Sequence, residues 1–131
     1  MGISTGMVRY HYYTDFSEIF YTIAHECWLL VDYEYLEGEY SVPPEINNVP
    51  VSGIMLGALQ GCQSLYRLNL PESIEYIGMG ALQSCVELSC LTYAGTVEQW
   101  NAAWQDNNWS IKTNLTEVQC LDGSVEVTGW I

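Results

Sequence analysis

Val51-Ser-Gly-Ile-Met-Leu-Gly-Ala-Leu-Gln-Gly-Cys-Gln-Ser-Leu-Tyr-Arg-Leu-Asn-Leu-Pro-Glu-Ser73 is followed without a gap by Ile74-Glu-Tyr-Ile-Gly-Met-Gly-Ala-Leu-Gln-Ser-Cys-Val-Glu-Leu-Ser-Cys-Leu-Thr-Tyr-Ala-Gly-Thr96. A shift of 23 residues pairs Ile54 with Ile77, Gly57 with Gly80, Ala58 with Ala81, Leu59 with Leu82, Cys62 with Cys85, Leu65 with Leu88 and Leu68 with Leu91. Self-similarity at such a period marks a solenoid, whose units cannot cover their apolar faces alone and so stack on a shared core. Within each unit, Leu65, Leu68 and Leu70, then Leu88, Leu91 and Tyr93, are expected to point inward from a short strand. Ala58-Leu59 and Ala81-Leu82 lie in a compact turn opened by Gly57 and Gly80, where a side chain would obstruct it. Cys62 and Cys85 are expected to stack as small buried residues.

The pattern Ile-x-x-Ile-Gly-x-x-Ala-Phe-x-x-Cys-x-x-Leu-x-x-Ile-x-Ile-Pro, matched by these two copies, resembles the BspA-like leucine-rich repeat of bacterial surface proteins. Leu59 and Leu82 stand where that family has Phe; Pro71 matches its Pro, and Ala94 replaces it in the second copy. Leu91-Thr-Tyr-Ala-Gly-Thr-Val-Glu-Gln-Trp100 resembles the family's terminal segment, and Val118–Gly123 its end. Phe20–Ile23, Trp28–Tyr33 and Val42–Val51 resemble its irregular first coil. The resemblance implies a β-rich α/β solenoid: a short leucine-rich-repeat stack with an irregular N-terminal β coil and a C-terminal helix-hairpin cap. The expected organisation is a single domain, 1–131, with an N-terminal extension at 1–18, a β coil at 19–50, the repeats at 51–96 and the cap at 97–131.

Two repeats fall short of the roughly three that a solenoid needs, so the ends must supply core. Thr96-Val-Glu-Gln99 reads as a capping box, opening a helix expected to run to Trp104 with Trp100 and Trp104 on one face. Asp122-Gly123 predicts a turn between strands Thr116–Leu121 and Ser124–Gly129. Trp109 and Trp130 are expected over the core edge. Upstream, Ser17–Glu26 reads as a capped helix or, by the resemblance and its β-branched and aromatic content, as strand. Tyr10-His-Tyr-Tyr13 stays exposed unless it pairs as an edge strand.

Sixteen acidic residues against three basic ones give a formal net charge of −13. Such a surface repels phosphate backbones, which argues against direct nucleic-acid binding; it attracts a basic partner and speeds the encounter. No stretch approaches the ~20 apolar residues of a membrane helix, and the first residues lack the pattern of a signal peptide. The chain as written therefore reads as cytoplasmic, whereas relatives by resemblance are often secreted or surface-bound. The five cysteines form no Cys-x-x-Cys pair and have no histidine at zinc-ligand spacing. The acids at 32–39 lack the alternate-position ligands of a calcium loop. His11 and His25 sit in no catalytic or metal motif. No cofactor, metal site or enzymatic activity is expected.

Two surfaces are candidates for a protein partner. The first is an acidic edge interleaved with aromatic residues: Asp32, Tyr33, Glu34, Tyr35, Glu37, Glu39, Tyr40 and Glu45. Carboxylates beside tyrosine suit a basic surface, because the ring supplies area and the partner's Arg or Lys supplies charge. The second is the outward column of the strand face: Arg67 and Asn69, Cys90 and Thr92, Glu117 and Gln119. Cys90 is the thiol expected to be accessible. What the resemblance implies is a protein-binding module; the alternative, drawn from charge and size, is a small acidic inhibitor of anti-defence or anti-CRISPR type, of phage or mobile-element origin, that covers a basic nucleic-acid-binding surface.

Overall fold

A computed structural model describes residues 9–14, 17–24 and 27–127. In chain order the elements are β1 Arg9–Thr14, β2 Ser17–Ala24, β3 Cys27–Leu36, β4 Gly38–Ser41, β5 Glu45–Ile46, β6 Val49–Ile54, β7 Leu65–Leu70, β8 Tyr76–Ile77, β9 Cys90–Tyr93, α1 Val97–Ala102, β10 Trp104–Gln105, β11 Glu117–Cys120 and β12 Gly123–Glu126. They wind into two sheets. One runs β1-β2-β3-β6-β8-β10, with β5 hairpinned onto β6; the other runs β12-β11-β9-β7-β4. Four successive turns of the chain each place one strand in either sheet.

The repeat period is also the sheet register. Gly53 pairs with Tyr76 and Ile54 with Ile77 in the first sheet, and Arg67 pairs with Cys90 and Leu68 with Leu91 in the second. Each pair is separated by one repeat, so equivalent side chains stack. A third side of the coil is built from turns. Leu59 N–H donates to Ala81 O (2.9 Å) and Gly61 N–H to Gln83 O (2.8 Å), while Ala58, Gln60 and Cys62 close bonds onto residues three back. Alternate amides thus point to the neighbouring coil and to their own turn, leaving the backbone satisfied in a space too tight for a helix. The geometry requires left-handed residues at fixed places: Gly57 and Gly80 (φ 63° and 66°), then Gly61 and Ser84 (φ 77° and 64°).

This third ladder exposes a coil that the sequence hides. Leu82 N–H donates to Trp109 O (2.8 Å) and Ser84 N–H to Ile111 O (2.9 Å), so 107–112 repeats the turn once more. Asn108 and Lys112, at φ 60° and 62°, occupy the left-handed places held by glycine in the first repeat. Strands β10 and β11 pair parallel with β8 and β9, and Trp109, Leu115 and Val118 are buried.

The core is one column. Leu65, Leu68, Leu70, Leu88, Leu91 and Tyr93 are all buried, as are Cys62 and Cys85. Leu65 and Leu68 can both face inward because Gly38 pairs with Leu65 and Glu39 with Arg67. Tyr66 is the extra residue of that irregularity, and it is exposed. At the N-terminal end Ser17–Ala24 is strand and not helix, and Arg9–Thr14 pairs with it as the edge strand. His25, Glu26 and Trp130 lie outside the described residues.

The C-terminal segment departs from expectation in two ways. Among the described residues the helix content is one six-residue element: α1 ends at Ala102, and Ala103 is extended (φ −73°, ψ 151°). Trp100 is therefore buried, but Trp104 starts a strand and is 65% exposed, so the two do not share a helix face. The hairpin turn is Leu121-Asp122, because Cys120 pairs with Gly123. Asp122 accepts the Val97 N–H (2.8 Å), tying the hairpin to the start of α1. The capping box is present: Thr96 Oγ1 accepts Gln99 N–H (3.1 Å), and Gln99 Oε1 accepts Thr96 N–H (2.8 Å). Thr96→Ala is expected to lower stability by about 1 kcal/mol, read as a lower urea midpoint at unchanged slope.

Candidate protein-binding surface

The outer face of the second sheet carries a continuous polar network. Register places Glu39, Arg67 and Cys90 in one row, and Ser41, Asn69, Thr92 and Gln119 in the next. Asn69 is the hub. Its amide donates to Glu39 Oε2 (2.7 Å) and Ser41 Oγ (2.9 Å), and its Oδ1 accepts from Thr92 Oγ1 (2.7 Å) and Arg67 Nε (3.2 Å). Arg67 Nε also lies 3.3 Å from Glu39 Oε2, and its Nη1 donates to Cys90 Sγ (3.2 Å). Each side chain is held by neighbours on adjacent rungs, so the face is ordered before any partner arrives. Glu117 and Gln119 continue the rows on β11 and are exposed.

The network joins the two candidate surfaces at Glu39. Sequence reasoning did not connect them, because Ser41 and Asn69 are 28 residues apart. That interval differs from the 23-residue period linking Asn69 to Thr92. Ser41 was missed for the same reason.

The acidic edge is only partly a surface. Asp32, Glu34, Glu37, Glu39 and Glu45 are exposed. Tyr40 is not available: it is 4% exposed in the core, its hydroxyl 2.7 Å from that of Tyr21. It falls on the inward side of β4, between Glu39 and Ser41, where strand alternation dictates burial. Tyr33 is half-buried against the core, its hydroxyl donating to Gln60 O (3.4 Å). Burial, with smaller contributions from Cys62 and Cys85, pushes its phenol above the ordinary range. Tyr35 lies on β3, and its side chain is outside the described residues.

The inner thiols bond to the backbone of the preceding coil. Cys62 Sγ donates to Leu36 O (3.5 Å) and Cys85 Sγ to Leu59 O (3.1 Å), each reaching one coil back. Burial raises both, and Cys85, also near Cys62, is pushed up to about 12 from an ordinary 9. In the unfolded chain the Cys85 thiol ionises near pH 9, whereas the fold keeps it protonated to about 12. The unfolded state thus holds fewer protons in that window. The contribution is fully present below pH 9 and is lost as pH rises towards 12. Urea unfolding at pH 8 and pH 10.5 is expected to show a falling stability, with Cys85 supplying at most about 1.4 kcal/mol per pH unit. Cys85→Ala is expected to flatten that slope.

Among the described residues no three His, Cys, Asp or Glu side chains are grouped to hold a metal ion, and no helix is long and apolar enough to cross a membrane. No protein-family profile and no curated protein matches the sequence. Among solved structures, the crystal structure of a leucine-rich-repeat protein of T. pallidum (TpLRR) is similar, with a TM-score of 0.58 at 16% identity. The match covers 85% of this chain and 64% of that one, so the chain spans less than two thirds of its neighbour. At that identity the likeness concerns the fold, and with the two parallel ladders it identifies a leucine-rich-repeat-like β-solenoid of about four turns.

Proposed function

We propose that the chain is a non-enzymatic protein-binding module of the BspA-like leucine-rich-repeat type, recognising a basic protein surface. The observation that carries this reading is the cross-coil network centred on Asn69. It presents a stiff polar face whose ordering cost is already met, and Glu34 and Glu37, shortly before β4 in the chain, add exposed carboxylates. A partner's lysines and arginines meet the carboxylates, and its hydrogen-bonding groups meet the Asn69 row. The net charge of −13 favours rapid, salt-sensitive encounter with such a surface.

Affinity capture from host lysate tests this with three baits: the native chain, Asn69→Ala/Thr92→Ala, and Glu34→Lys/Glu37→Lys. A common partner is expected on the native bait at roughly 50 mM salt and reduced at roughly 300 mM. Each variant is expected to retain at least about tenfold less of it, an effect of about 1.4 kcal/mol. Undiminished capture by both variants would remove this face from consideration. If that partner is a nucleic-acid-handling enzyme whose activity the native chain blocks, the module acts as an inhibitor.

A further inference from the structure

Where the second sheet hands the chain back to the first, a groove of about 440 Å³ opens between the second and third coils. Its lining includes Glu72, Ile74, Glu75, Tyr93, Ala102 and Trp104. It exists because the two coils differ there. The second crosses from β7 to β8 in a tight turn, while the third inserts α1 before β10 and stands away from it. Ile74 and Tyr93 are buried and form an apolar floor.

Trp104 is the exposed aromatic side chain of the groove. It is 65% exposed, yet it is not loose. Its backbone N–H donates to Glu75 O (2.9 Å), and its indole N–H donates to the Asp106 carboxylate. Asp106 also accepts the Tyr76 hydroxyl (3.1 Å). The ring is thus pinned, and the groove it helps to line also carries two exposed acidic residues, Glu72 and Glu75. Among the described residues no basic side chain lines the groove. Burial raises the Tyr93 phenol, and the Glu72 carboxylate, with a smaller share from Glu75, adds to the rise.

We infer that this groove takes an arginine side chain from an exposed segment of a partner protein, its guanidinium against the Trp104 indole and between Glu72 and Glu75. A planar guanidinium offers the ring a face and carboxylates a fork of N–H donors, and it sheds water more readily than an ammonium. The groove is separate from the Asn69 face, and its test does not depend on the partner proposed for that face.

The probe is the peptide acetyl-Gly-Gly-Arg-Gly-Gly-amide, titrated into ¹⁵N-labelled protein while the tryptophan indole N–H signals are followed. Loss of one signal in Trp104→Ala identifies that ring. The Trp104 signal is expected to shift saturably with the arginine peptide, and the buried Trp100 signal is expected to stay in place. Glu72→Gln/Glu75→Gln, both at exposed positions, is expected to weaken binding about fivefold or more. A citrulline peptide of the same shape is expected to give no shift. Absence of a Trp104 shift, an equal response to citrulline, or unchanged binding by the double variant would overturn the assignment. Equal binding of the lysine peptide would overturn its guanidinium selectivity.

Discussion

Trp100→Ala is expected to cost about 3–5 kcal/mol, the range for removing a large buried aromatic side chain. Trp100 is 1% exposed and is the buried residue of α1. Its ring meets Tyr93 edge-on at 5.3 Å and Trp109 at 5.8 Å. It therefore joins the third coil to the fourth and fills the space that α1 opens. Truncation leaves a cavity bounded by backbone ladders on both sides, which cannot collapse onto it. Small domains have about 5–15 kcal/mol in total, so the variant is expected to be marginal at 25 °C. Urea unfolding followed by far-UV circular dichroism checks the size of the loss. Trp100→Phe, keeping an aromatic contact on both sides, is expected to recover more than half of it.

Gly78→Ala is expected to be nearly as damaging, at about 3 kcal/mol, the upper part of the range for overpacking. Its backbone is not left-handed, so the argument is one of space alone. A Cβ at this position would lie 2.5 Å from the backbone N of Leu56, 2.9 Å from the carbonyl carbon of Met55 and 3.0 Å from Leu56 Cα. All three are main-chain atoms of the preceding coil, held there by the Gly78 N–H to Ile54 O bond of 2.8 Å. The added methyl can be accommodated only by prising the coils apart, at the expense of the ladder on either side. Gly61→Ala is the contrasting control: its Cβ would meet nothing within 4 Å, but φ is +77°. Left-handed backbone alone is expected to cost about 1–2 kcal/mol there. Thermal unfolding of the two variants separates steric from conformational cost, and equal losses would contradict the distinction.

The contrast between Gly78 and Met55 shows what could be read from sequence. Met55 holds the equivalent place one repeat earlier, and a side chain is tolerated there. The coil beneath it does not turn, because β3 runs on as a strand to Leu36. A 23-residue shift found both central coils and their inward leucines, since those positions obey one register in all three ladders. It could not find the coils on either side. The first is joined to its neighbour at an interval of 28 residues, and α1 is inserted between the third and the last. Asn108 and Lys112 also replace the glycines that would have marked the last turn. The same limits applied to the candidate surface. Arg67, Asn69, Cys90 and Thr92 lay in register and were legible as an outward column. Ser41 depended on the irregular pairing of β4 with β7, which has no local signature, and the burial of Tyr40 on which face of β4 turns inward. Trp104 was read onto a helix because spacing of four suggests a shared face. The helix stops two residues earlier, and the ring faces solvent instead.

Because sheet register and repeat period coincide between β7 and β9, molecular length is an adjustable quantity in this architecture. Duplicating Ile74–Thr96 in place between the existing copies would keep the 23-residue register to both neighbours, with leucine stacking on leucine at the Leu68 and Leu91 places. Each added unit would lengthen the molecule by one strand spacing, about 4.8 Å. The polar rows through Asn69 could then be extended rung by rung, while α1 and the terminal hairpin travel outward unchanged. A lineage carrying such a gene can change the length of the molecule by unequal recombination alone, without redesigning either end.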